Sequence, residues 1–232
     1  LHWERFGLEL TTPDHPLPVI VLSNAEDFAQ FATRDAGPAV AATKGYYSLA
    51  TNRIVLYDLT VGAGGRAPRS ADDVARQVAT SGFSVATVVH EATHQLAFNT
   101  GLHTRIGDNP RWVVEGLAML LEDDASRSDV RSGDRSSRVN QDRLDWFIRN
   151  NLRDVPVTDL ITDDMYFARS GLNAYSYAWA LSFFLTETRS YDYAGYLRTI
   201  RNRDPLVDYT AQQRLDDFQK AFGKDVGWLQ GQ

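Results

Sequence analysis

The chain has 232 residues, 43% of them hydrophobic and 23% charged, with a formal net charge of -6. That length and composition suit a folded soluble protein with a substantial core, in one large domain or two small ones. Acids and bases are interspersed without a long basic run, which argues against nucleic acid and anionic membrane as partners, and no apolar stretch is long enough for membrane insertion.

In chain order, "PVIVLS" (18–23) predicts a buried strand. Ser23, with Glu26 three residues on, carries a capping-box signature, so a helix is expected to follow in "SNAEDFAQFA". "GYYSLATNRIVLYDL" holds two β-rich runs around Thr51-Asn52 and predicts a hairpin. Its residues 46–57 offer an edge to which an extended peptide can add as a further strand. "VGAGGRAPRS" reads as a loop and "ADDVARQVATSG" as a helix ending near Gly82; from Phe83 onward the chain is expected to be mostly helical. The Ser-, Asp- and Arg-rich segment 122–142 reads as a solvated connection, with a flap over a cleft as the alternative. Helices are expected to resume at "RLDWFIRNNL", "NAYSYAWALSFFLTET" and "TAQQRLDDFQKAF". The expected fold class is α+β: a small mixed N-terminal sheet with an edge hairpin over 1–82, then a mainly helical part over 83–232 that carries the functional motif, the two forming one domain.

The motif lies in "FSVATVVHEATHQLAFNTGL" (83–102), which holds two of the five histidines. The chain has no cysteine, so it has no disulfides, the redox compartment stays undecided, and any metal site must be built from histidine and carboxylate. The chain begins at Leu1 rather than Met and shows no signal-peptide pattern. The compartment is left open, with an exported or extracytoplasmic protein favoured if the chain is a processed or trimmed one.

His90, Glu91 and His94 form H-E-x-x-H. On a helix, residues four apart share a face, so both imidazoles can reach one ion. Glu91 is rotated roughly 100° from His90, which sets it beside the metal as a base rather than a ligand. The flanking Val85, Val88, Val89 and Leu96 are those of a buried helix. A third ligand is needed, and the candidates are His103, Asp108, Glu115 and Glu122. Ala97 and Thr100 stand where a metzincin-type extension needs Gly and His, and His103 comes three residues too late for that pattern. Glu115 is better placed: "DNPRWVVEGLAMLLE" opens with a helix start at Asp108-Asn109-Pro110 and puts Trp112, Glu115, Met119 and Glu122 on one face. Gly116 is expected to let this helix approach the histidine helix. His, His and Glu with an open fourth position is the donor set of a catalytic zinc, one per chain. Glu122 is either an acceptor for a ligand imidazole or a solvated helix-end acid.

"HEATHQLAFN" followed by "RWVVEGLAMLLE" resembles the gluzincin zinc metallopeptidases, whose pattern is HExxHQ, an Asn a few residues on, and W-x-x-E-G-x-A ending in an acid. The likeness is closest to the peptidase-MA-like branch and its uncharacterised relatives with the HEATHQ form, and "AYSYAWALSFFL" and "FQKAFGKDVGWL" resemble later elements of that branch. The resemblance implies a zincin-like fold, with His90, His94 and Glu115 as zinc ligands, Glu91 as general base, and Asn99 and Glu122 beside the ligands as supports. It also implies a tyrosine on a later helix that stabilises the reaction intermediate; the form of "YSYAWA" puts Tyr175 in that place, with Tyr177 as the rival. The implied reaction is zinc-dependent hydrolysis of peptide bonds in a peptide or protein substrate. No G-A-M-E-N-like element occurs, so aminopeptidase specificity is not implied.

Two other readings compete. "GAGGRA" (62–67) fits the dinucleotide fingerprint G-x-G-x-x-A, in which case "FSVATVVHE" is a strand and Glu91 binds a ribose. Pro68-Arg69-Ser70 interrupts that pattern where the phosphate-binding helix should begin. The second is a zincin-like scaffold that serves as a recognition module without proteolytic activity.

Overall fold

The computed structural model describes residues 8–58, 70–73, 76, 82–122 and 136–227. The glycine-rich stretch 62–67, much of the helix expected over 71–82, and most of segment 122–142 lie outside the described residues. The fold is mixed α+β, mostly helical with a small sheet. Two compact units divide the chain: Pro13–Leu96, and the residues up to Thr12 together with those from Ala97 on. The division falls inside a helix.

The first unit holds β1 (Val19–Leu22), α1 (Ala25–Asp35), β2 (Gly45–Ser48), β3 (Arg53–Tyr57) and most of α2 (Gly82–Asn99). Strand order is β1-β3-β2, with β1 parallel and β2 antiparallel to β3. Asn52 closes the expected hairpin at φ 57, a left-handed conformation that Asn tolerates, and its side-chain oxygen accepts from the Tyr47 hydroxyl at 2.8 Å. Central β3 is a continuous apolar run, Ile54, Val55 and Leu56 all buried, as suits a strand paired on both edges. Among the described residues, the sheet edge within 46–57 is therefore β2.

Two local expectations need correction. The strand at 18–23 is not buried: β1 is the other sheet edge, with Val19 52% and Val21 59% exposed. The cap of α1 is Asn24, not Ser23. Asn24 takes the extended conformation of a cap and accepts from the Asp27 amide at 2.9 Å, which leaves Ser23 outside the helix. The unit's core is small. Phe28 and Ala32 of α1 meet Tyr46 and Val55 of the sheet, and the Phe28 ring lies 5.4 Å from that of Tyr57.

The second unit consists of α3 (Arg111–Leu120), α4 (Gln141–Arg149), α5 (Val157–Thr162), α6 (Met165–Ser170), α7 (Leu172–Thr188), α8 (Ser190–Arg201) and α9 (Ala211–Phe222). The Thr210 hydroxyl and Gln213 form a capping box at the start of α9. The most extensive helix pair is α3 against α7. A buried aromatic cluster anchors α3: Trp112 stacks on Tyr193 and Tyr196 of α8 and meets the edge of Phe218 of α9, with centroids 6.1, 5.8 and 5.9 Å away. Burying each such ring stabilises by about 1.5–3 kcal/mol, so the register of α3 is set from its second residue.

Candidate metal centre

Helix α2 carries His90, Glu91 and His94, as the spacing predicts. The two imidazoles turn to one side: their Nε2 atoms lie 3.0 Å apart and their rings meet edge to face with centroids at 4.6 Å. Nitrogens that close either share a proton or share a cation. Two ligands 2.0–2.1 Å from one tetrahedral ion stand about 3.3 Å apart, so the pair fits a cation with a small adjustment. His94 is 9% exposed, and His90 and Glu91 are half-buried.

Glu115 stands on the second turn of α3 with its side chain 14% exposed. His90, His94 and Glu115 each bring a ligand atom to within 4.8 Å of the others. Two imidazole nitrogens and a carboxylate oxygen are the donors a catalytic zinc takes, so the residues present fit that ion. The other third-ligand candidates are placed elsewhere. His103 is 3% exposed, its amide donating to the Ala97 carbonyl at 2.9 Å and its ring against Phe98 at 5.2 Å. The Asp108 carboxylate accepts from the Tyr209 amide at 3.3 Å. Glu122, just past the end of α3, pairs with Arg143 of α4 at 3.4 Å. Asn99 is the last residue of α2.

Gly116 corrects an expectation. A Cβ there would lie 2.7 Å from the Ala178 carbonyl oxygen of α7 and closer still to the Ser182 hydroxyl. The missing side chain lets α3 approach α7, where the expectation named the histidine helix; a sequence shows that a close approach exists but not to what. Nor is α2 buried on every side, since Val88 is 41% and Leu96 50% exposed.

The two tyrosines, two residues apart on α7, have different surroundings. Tyr177 is 5% exposed and donates to the Val155 carbonyl at 2.9 Å. Burial pushes its hydroxyl well up, so it stays a protonated structural donor. Tyr175 is half-buried, and its hydroxyl oxygen accepts from the Arg111 guanidinium at 3.1 Å.

Gln95, to which the sequence attached no role, is 3% exposed and donates from Nε2 to the Pro18 and Asn52 carbonyls, each at 3.0 Å. It ties α2 to the backbone just before β1 and just before β3, and so fixes the turn that bears His94. Its signal was a polar residue in an otherwise apolar stretch of helix. Arg111 was also missed, although its i,i+4 spacing to Glu115 is that of a helix ion pair and the structure forms it at 3.6 Å.

Fold and site together define an α+β protein with a two-histidine, one-glutamate group carried on helices. The chain belongs to the family described as "Protein of unknown function (DUF1570)", whose model matches residues 84–207, just over half its length. That stretch contains His90, Glu91, His94, Glu115 and Tyr175. No curated protein and no solved structure matches the chain. The dinucleotide reading needs a strand at 83–91, and those residues are helix. No helix among the described residues is long and apolar enough to cross a membrane.

Proposed function

We propose that this is a zincin-like, gluzincin-type zinc metallopeptidase that hydrolyses peptide bonds. The observation that carries the reading is the convergence of His90, His94 and Glu115, with Glu91 one residue from the first ligand. These three residues would hold one zinc per chain. Bound there, zinc supplies Lewis-acid chemistry: it polarises the scissile carbonyl and acidifies water. Glu91 takes the proton of the attacking water and delivers it to the leaving amine as the C–N bond breaks. Tyr175 donates its O–H to the carbonyl oxygen as negative charge grows there. An extended substrate can add as a strand along β2, the edge of the hairpin.

Elemental analysis after zinc incubation and desalting tests the site. Wild type should retain about one zinc per chain, and His94→Ala and Glu115→Ala should lose it, because two donors hold the ion far less tightly than three. His103→Ala should retain it. Zinc loss from His103→Ala with retention by Glu115→Ala would overturn the ligand set.

A further inference from the structure

The Arg111 guanidinium sits at the meeting point of three groups in the helical unit. It donates from Nη2 to the Tyr175 hydroxyl oxygen at 3.1 Å, its Nε lies 3.6 Å from the Glu115 carboxylate, and its Cζ stands 4.9 Å above the Phe167 ring. Phe167 in turn meets Tyr175 edge to face at 5.2 Å and 87°. The Arg111 backbone is held as well, its amide donating to the Asp164 carboxylate at 2.8 Å, and that carboxylate is itself paired with Arg214 at 2.9 Å. A side chain with this many restraints has few rotamers open to it, although 41% of its surface faces solvent.

We infer that Arg111 is a positioning residue: it sets the Tyr175 hydroxyl at a fixed distance from Glu115 and presents its O–H as a donor to the oxygen that becomes negative in the reaction. The inference rests on the peptidase reading above. Its chemistry follows from the direction of one hydrogen bond. A phenol oxygen that accepts from a guanidinium has its own proton turned away from that guanidinium, toward another acceptor. The cationic donor also polarises the O–H and makes it a stronger donor, because linked hydrogen bonds reinforce one another. The same guanidinium pairs with Glu115 on the same helix, so one rigid fork spans the ligand carboxylate and the tyrosine on α7. Arg111 touches neither metal nor substrate in this account; it acts through Tyr175.

The test is a double-mutant cycle on the full, zinc-loaded chain, using a peptide found in a library screen of the wild type. Loss of one donor to a developing oxyanion costs about 10²–10³-fold in kcat, the loss expected of Tyr175→Phe. Arg111→Ala should cost about tenfold in kcat with KM nearly unchanged, since a ground-state contact is not what it removes. Arg111→Lys should recover part of that loss. In the Tyr175→Phe background, Arg111→Ala should cost almost nothing more, because the two changes remove one interaction. A readout independent of catalysis accompanies it: in protein made with tyrosine isotope-labelled at the hydroxyl-bearing ring carbon, the NMR signal that vanishes in Tyr175→Phe should shift in Arg111→Ala. Additive losses in kcat, or an unmoved Tyr175 signal, would overturn the inference while hydrolysis, and with it the proposed function, stood. A zinc-loaded wild type that cleaves no peptide would overturn both.

Discussion

The two units hold their functional side chains by different means. The sheet unit has a core of Phe28, Ala32, Tyr46 and Val55 and places His94 through a polar tie, the Gln95 amide bonded to two backbone carbonyls. The helical unit has a large aromatic core and places Glu115 by packing, with Trp112 in the cluster on one side of α3 and Gly116 against α7 on another. A small core leaves few rings to fix the rotation of a helix, so directional hydrogen bonds do it instead; a large core fixes rotation by shape.

That contrast can be broken by substitution. The largest loss of stability should come from Trp112→Ala, about 3–5 kcal/mol by chemical denaturation, because it empties the stack on Tyr193 and Tyr196 and leaves a cavity. Gly116→Ala should cost about 1–3 kcal/mol, since the Ala178 carbonyl is backbone and cannot step aside. The same variant should lose zinc, because displacing α3 from α7 moves Glu115. Gln95→Ala should cost about 1–2 kcal/mol by removing the two hydrogen bonds from its side chain to the Pro18 and Asn52 carbonyls, and zinc affinity should fall with it. Gln95→Ala with unchanged stability and zinc affinity would mean that packing alone orients α2.

The smallest effect separates the two tyrosines. Tyr177→Phe removes a buried donor from the Val155 carbonyl and should cost about 0.5–1.5 kcal/mol in stability, with kcat unchanged. Tyr175→Phe should do the reverse, leaving stability near wild type and lowering kcat. If the rates were exchanged between the two, the role assigned to Tyr175 would belong to Tyr177.

Features set by near neighbours were legible in the sequence. The hairpin at Thr51-Asn52 formed because Asn tolerates the left-handed turn, and His90 and His94 share a face because the helix repeat puts them there. The helix bearing Glu115 was legible from its start at Asp108-Asn109-Pro110. What was not legible depends on contacts distant in sequence. The hydroxyl partners that distinguish Tyr175 from Tyr177 come from residues 111 and 155, and Gly116 answers to residues 178 and 182. Strand β1 reads as buried by composition, yet its place at the sheet edge is a matter of topology. Helix α8 went unread because its Tyr-rich run with Gly195 has no strong helix preference of its own and is stabilised by the aromatic cluster it joins.

The central claim, that Glu91 is a base beside a zinc held by His90, His94 and Glu115, is tested most directly by one comparison. Zinc-loaded wild type and zinc-loaded Glu91→Gln are assayed against the same broad peptide library, with zinc content measured on both. The amide is nearly isosteric and cannot take a proton from water. Equal zinc in the two proteins, cleavage by wild type, and a rate lower by about 10²–10⁴-fold in the variant are expected. Hydrolysis at the wild-type rate by the zinc-loaded variant would contradict the claim.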